Sequence, residues 1–296
     1  MTSIITISLG VFVLGAIIGS FLNVCGFRMP MGIYEPTRDG VPELGKEISI
    51  TTPRRSFCPH CQSQLSWHQV IPILSWFLLR GRCASCKTRI SIRYPLVEFI
   101  TGILAVACFL RFAPSLTAVV AFIVICSLIV ITLIDLDYMI IPDKITYPGT
   151  AIGIALGALS TALPQNNGVL PLAHPFVASI QESLFGILGG AGLLYAVWWL
   201  YLIIRKREGI GLGDIKLLAM LGALFGAQCS LAVIFIGSVL GTIISLPIMI
   251  KRRTMNVYIP FGPYLAGAAI LFIINFASLV AYLAGKSSTT SWRMLQ

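Results

Sequence analysis

Apolar runs of membrane-crossing length alternate with short polar breaks along all 296 residues. A helix that crosses a bilayer needs about 20 consecutive, mostly apolar residues. Eight stretches meet or approach that length: 4–27, 95–111, 116–134, 146–163, 180–204, 214–227, 230–250 and 261–284. The pattern predicts an all-α polytopic membrane protein with about eight transmembrane helices. The first run has no basic segment before it and no small-residue cleavage site after it, so it reads as a retained helix and not as a signal peptide. The run 214–227 is short for a span, and Asp214 and Lys216 place its start at the interface.

Between the runs lies one large polar piece, 28–94, rich in Pro, Ser, Arg and Cys. Its own apolar patch, "VIPILSWFLLRG" at 70–81, is too short to span and is expected to pack within the loop or lie on the membrane surface. The organisation expected is a first transmembrane helix (1–27), a loop domain (28–94), a transmembrane domain of about seven helices (95–285) and a tail (286–296). The other sizeable loop, 164–178, carries no Lys or Arg, and no internal repeat stands out.

Composition agrees with a membrane protein: 57% of residues are hydrophobic and 11% charged. A soluble domain carries about 25% charged residues. The net charge of +10 would suit nucleic acid, but its placement argues otherwise. With residue 1 outside and eight spans threaded, 18 of the 21 Lys and Arg fall on one side, and only Arg111, Lys286 and Arg293 on the other. That asymmetry marks the cytoplasmic side, so the basic charge reflects topology and contact with anionic lipid, not nucleic acid.

Four of the eight cysteines form two C-x-x-C pairs, Cys58/Cys61 and Cys83/Cys86, with 21 residues between them. Such knuckles are a four-thiolate zinc signature, because each tight turn aims two sulfurs at one tetrahedral ion. The alternatives are disulfides or a redox pair. A reducing cytoplasmic location and the lack of a surrounding βαβ pattern disfavour both. Four sulfurs close the tetrahedron, so His60 and His68 are not needed as ligands and the metal is structural. Cys25, Cys108, Cys126 and Cys229 lie in apolar runs and read as packing residues.

Only eleven acids exist. Glu35, Asp39, Glu43 and Glu47 suit solvated loop charges, and Glu182 and Glu208 sit at interfaces. Glu98, Asp135, Asp137, Asp143 and Asp214 lie at or near span ends, where an ionisable group defaults to a functional hypothesis. Threading puts Asp135, at the inner end of the third span, and Asp214, at the inner end of the sixth, on the same side at similar depth. Two carboxylates sharing a site hold one proton between them, and the ionised member can activate water. Gly211 and Gly213 let the backbone beside Asp214 approach a partner helix or an extended peptide closely. The rival readings are helix capping for Asp143, an ion-coupling pair in a transporter for the two aspartates, and pairing with Arg93 or capping for Glu98. On a continuing helix Asp137 would point about 200° away from Asp135.

Six pieces in order resemble the type IV prepilin peptidases, aspartic membrane proteases of the GxGD type: "GSFLNVCGFR" (19–28), the two knuckles, "RYPLVE" (93–98), "DLDYMIIPD" (135–143), "GLGDIKLL" (211–218) and "IPFGPYLA" (259–266). The resemblance implies that Asp135 and Asp214 are the catalytic pair, with Glu98, Asp137, Asp143, Gly211 and Gly213 in support. It implies cleavage of the short basic leader of prepilins and pseudopilins, after a glycine, at the cytoplasmic face of the bacterial inner membrane. Members with the four-cysteine loop typically also N-methylate the new terminus with S-adenosylmethionine, so the resemblance implies both activities here, with a peptidase-only chain as the alternative. No glycine-rich nucleotide fingerprint marks a cofactor pocket. By position alone, the 28–98 loop, Glu98 and Gly102 are candidates for it.

The charge asymmetry makes a topological prediction. Cysteines introduced at 38–47 should resist a membrane-impermeant maleimide added to intact cells. Labelling there would reverse the orientation.

Overall fold

The computed structural model describes residues 2–30, 49–50, 55–112, 115–162, 176–177, 179–206, 211–252 and 260–283. The tail 286–296, most of the 164–178 loop, and Glu35, Asp39, Glu43, Glu47 and Glu208 lie outside the described residues. The described chain is helical apart from the cysteine loop, where two isolated β-bridges are the only extended pairing.

The helices follow the hydropathy runs: α1 (Thr2–Arg28), a short α2 (Leu74–Leu78), α3 (Arg93–Phe112), α4 (Leu116–Tyr138), α5 (Asp143–Ala162), α6 (Ile180–Ile187), α7 (Leu193–Arg205), α8 (Leu212–Arg252) and α9 (Gly262–Leu283). A π-helical turn, Leu188–Gly192, joins α6 to α7, so 180–205 forms one long helical segment. Among the described residues five segments are long and apolar enough to cross a membrane: Ile4–Arg28, Arg93–Phe112, Leu116–Tyr138, Ile180–Arg205 and Leu212–Lys251. α5 is not among them, and α9 contributes the shorter apolar stretch Gly262–Ile274. The runs 214–227 and 230–250 are two helical pieces of α8, joined at a kink at Gly226 (φ 79°, ψ −178°). That conformation suits a residue without Cβ. The Val177 N–H donates to the Leu224 carbonyl just before the break, at 3.0 Å.

The chain forms two compact units, Met1–Pro142 and Asp143–Gln296. In the first, α1 packs along α3, and α4 contacts both. A Cβ at Gly19 would lie 2.8 Å from the Glu98 Cα, so small residues set the α1–α3 spacing. α4 carries the core of this unit, with Ile125, Leu128, Ile131 and Ile134 fully buried. In the second unit α8 is central, packed by α5, α6 and α9. Leu217, Leu218, Met220 and Leu221 of α8 are buried. The patch at 70–81 divides: the Trp76 indole N–H donates to the Ile90 carbonyl at 3.1 Å, while Leu74, Phe77 and Leu78 are exposed.

The α6–α8 crossing is the tightest. A Cβ at Gly222 would run into the backbone carbonyl of Gly186. Backbone cannot yield as a flexible side chain can, so Gly222→Ala should destabilise the protein by about 1–3 kcal/mol. Gly192→Ala meets nothing within 4 Å and serves as the control. Thermal unfolding in detergent should separate the two variants. Equal melting temperatures would contradict the packing.

Candidate functional site

Among the described residues three acidic side chains are buried: Glu98 (8% exposed), Asp135 (5%) and Asp214 (8%). Asp135 lies in the last turn of α4, which continues through Tyr138 and ends on Met139 in a left-handed conformation. The Met139 N–H donates to the Asp135 carbonyl at 2.9 Å. Because the helix continues, Asp137 points elsewhere: its Oδ1 takes the Arg93 Nη1–H at 2.6 Å, and Arg93 Nη2 also donates to the Leu133 carbonyl at 2.8 Å. Arg93 therefore belongs to Asp137, and the alternative Arg93–Glu98 pairing is not formed.

In the second unit Asp214 sits in the first turn of α8. Its N–H donates to the Gly211 carbonyl at 3.1 Å, and a Cβ at Gly211 would lie 3.4 Å from Asp214 Oδ2. Gly213 adjoins Asp214 in the same turn. Asp143 opens α5 and accepts from Lys216 Nζ at 2.7 and 3.0 Å. Lys216 also lies 5.1 Å from the centre of the Tyr147 ring. Both half-exposed aspartates are thus neutralised by a cation from another helix. The sequence reading missed Lys216 as a partner, although its place two residues after Asp214 in the same motif was a usable signal.

The four loop sulfurs, of Cys58, Cys61, Cys83 and Cys86, all lie within 4.8 Å of one another and could hold one metal ion. The Cys58–Cys86 and Cys61–Cys83 sulfur separations are 3.8 and 4.0 Å. The two knuckles are built alike. The N–H of Cys58 donates to the Ser63 carbonyl and that of Cys83 to the Thr88 carbonyl, at 3.0 and 2.8 Å. Each turn passes through a residue with positive φ, Gln62 (56°) and Lys87 (59°). Each is closed by a bridge, Phe57–Gln64 and Arg82–Arg89. This is a short structural repeat, C-x-x-C-x-[ST], that the reading for internal repeats overlooked. Its hydroxyls have a purpose: Ser63 Oγ lies 3.0 Å from the Cys61 sulfur and Thr88 Oγ1 3.1 Å from the Cys86 sulfur. Hydrogen bonds from the Thr88 hydroxyl and backbone pull the Cys86 thiol down to about 6, whereas burial pushes Cys58 up to about 11. The lowered Cys61 and Cys86 thiols favour the thiolate form a metal ion needs, and a cation would offset the burial that raises Cys58.

A cavity of about 360 Å³ lies between the end of α1, the start of α3 and the cysteine loop. Asn23, Arg28, Phe57, Trp76, Tyr94 and Glu98 are among its walls. Arg28, 5% exposed, donates to the carbonyls of Ser49, Ile50 and Arg55, each at 3.3 Å, and so fixes the loop against α1. Glu98 Oε2 accepts the Ile73 N–H at 2.7 Å, and the Ser20 hydroxyl also donates to the carboxylate. Ile73 has φ 62° and ψ −54°. For a β-branched residue that is an outlier, costing on the order of 1–3 kcal/mol. Gly102 lies outside the cavity, against Phe12 in the α1–α3 seam.

Comparison with known proteins bears on both units. The bacterial peptidase A24 N-terminal domain matches residues 13–112, and the type IV leader peptidase family matches 122–246. The chain is 34% identical over 276 residues to the prepilin leader peptidase/N-methyltransferase of Aeromonas hydrophila, covering 89% of each. It is 32% identical over 289 residues to that of Stutzerimonas stutzeri, covering 95% of this chain and 91% of the relative. With that of Burkholderia pseudomallei strain 1026b it shares 36% over 275 residues, 88% of this chain and 83% of the relative. No solved structure matches.

The sulfur cluster predicts one bound metal ion per chain by elemental analysis. Cys83→Ser should bring that content close to zero. A ratio unchanged from wild type would refute the ligand set.

Proposed function

We propose that this chain, which belongs to the type IV prepilin leader peptidase family, cleaves the basic leader from prepilins or pseudopilins and methylates the amine so exposed. The observation that carries the peptidase reading is the burial of Asp135 and Asp214, in the two motifs singled out from the sequence, while Asp137 and Asp143 are exposed and ion-paired. Solvated or capping carboxylates need no burial, and acids buried in apolar helices are costly to keep, which makes them functional candidates.

In this reading Asp135 and Asp214 act as a pair. The ionised member takes a proton from water as the water oxygen attacks the scissile carbonyl. The protonated member donates its proton to the carbonyl oxygen. The resulting gem-diol collapses, the C–N bond breaks and the leaving amine takes up a proton. Hydrolysis is complete with the pair restored to one shared proton. Asp137 and Asp143, locked to Arg93 and Lys216, position the helix ends that carry the pair. Gly211 and Gly213, lacking side chains, let an extended peptide come close to Asp214.

The loop metal is read as zinc. An all-sulfur tetrahedral set suits it, and Zn–S bonds of about 2.3 Å imply sulfur separations of about 3.8 Å, near those observed. Its role is to hold the loop. When bound, S-adenosylmethionine supplies an electrophilic methyl group on a sulfonium sulfur. The protein is assigned to the bacterial inner membrane as a multi-pass chain, with loop and aspartates facing the cytoplasm, where the basic leader of the substrate lies.

Asp135→Asn and Asp214→Asn should each lower leader release by at least about 100-fold, because an amide keeps the shape but cannot exchange the proton. Asp137→Asn and Asp143→Asn should lose less. Asp214→Asn should still methylate a pre-cleaved pilin. Gel-shift assays of leader loss, read beside incorporation of labelled methyl, check all three. Near wild-type cleavage by Asp214→Asn, or a dead Asp137→Asn beside an active Asp135→Asn, would overturn the assignment.

A further inference from the structure

Glu98 is the buried acid that the cleavage chemistry leaves unused. Its carboxylate lines the 360 Å³ cavity. Among the described residues its donors are neutral, the Ile73 N–H and the Ser20 hydroxyl. Among the described residues no Lys, Arg or His pairs with it. A carboxylate met by neutral donors still has acceptor capacity for a cationic donor, whose charge-assisted hydrogen bond is the stronger kind. The backbone of Ile73 is held at positive φ while its N–H meets Oε2, so this carboxylate is fixed at the expense of local strain. The walls also hold Arg28 and Arg89, with Arg28 held by loop carbonyls and the Phe57 ring, but they are largely apolar and include Trp76 and Tyr94, which suits an organic cation better than a hydrated metal ion.

The height of the cavity narrows the choice. Glu98 lies in the second turn of α3, and Ser20, Asn23 and Val24 line the cavity from the last turns of α1. Both are ends of apolar helices, so the cavity opens where a membrane helix meets the cytoplasm. A cleaved pilin presents its new α-ammonium at the head of its own apolar helix, at that depth. We propose that Glu98 binds this primary ammonium in the cavity and takes its proton. The inference rests on the methylation half of the function proposed above.

The step balances. An α-amine is mostly protonated at neutral pH, its ordinary value being about 8, and its nitrogen then has no free lone pair. Glu98 receives one N–H proton, becoming the carboxylic acid and leaving a neutral amine. The amine lone pair attacks the methyl carbon of the sulfonium donor. The C–N bond forms as the C–S bond breaks, and that electron pair leaves on sulfur as a neutral thioether. The product is a secondary ammonium, and the proton on Glu98 passes to solvent.

Binding tests this apart from turnover. The probes are two synthetic peptides with the sequence of a cleaved pilin N-terminal segment, one with a free amine and one N-acetylated. They are titrated into full-length protein in detergent, with no methyl donor present. Wild type should prefer the free amine by about 10- to 100-fold, the range for a charge-assisted hydrogen bond. Glu98→Gln should bind both peptides alike. Glu98→Asp keeps the charge and should retain a reduced preference, so a misfolded Gln variant would not leave the question open. Equal binding of the two peptides by wild type would overturn the proposal, as would a preference undiminished in Glu98→Gln. A wild-type protein that releases leader and methylates but shows no amine preference would sink this inference alone. One that fails to methylate a cleaved pilin would sink the reading beneath it.

Discussion

The cost of burying a carboxylate in an apolar chain is the constraint from which the rest of the structure follows. With 11 acids in 296 residues, each one set inside a helical unit must be satisfied or used. Asp137 and Asp143 are satisfied by Arg93 and Lys216, and both remain half exposed. Glu98, Asp135 and Asp214 are buried. The division is one of burial: Asp137 and Asp143 tie helices together at the surface, whereas Glu98, Asp135 and Asp214 lie inside.

Packing serves that placement. Helices that carry polar groups at their ends must be held in register, and hydrophobic contact alone gives little register in lipid. Small residues supply it here. Gly19 brings α1 onto α3 beside Glu98, and Gly186 meets Gly222 where α6 crosses α8, two turns beyond Asp214. The cysteine knuckles play the same part for the described part of the loop, which could be organised by one ion and the Arg28 clamp.

Much of this was legible in the sequence, because hydropathy runs and the C-x-x-C spacing are local signals. The runs located α1, α3, α4 and α9 to within a few residues, and the knuckles named the four clustered sulfurs. The end of α4 was less legible. The apolar run stops at Ile134, but the helix continues to Tyr138, because a helix end needs solvent for its polar face, not apolar residues. α8 was read as two runs, and the structure agrees, with two helices meeting at a kink at Gly226, close to the boundary between the runs. Non-local partners were least legible. That Arg93 would choose Asp137 over Glu98 depends on two helices meeting 44 residues apart in sequence. The Ile73 N–H that holds Glu98 depends on a backbone conformation that propensity argues against.

The central claim is that buried aspartates and a sulfur-held loop serve one two-step processing reaction. The most direct test is the intact mass of a prepilin after incubation with the purified protein and S-adenosylmethionine. The account predicts a product that has lost its leader and gained one methyl group. A prepilin recovered at its original mass from folded, metal-loaded protein would contradict it.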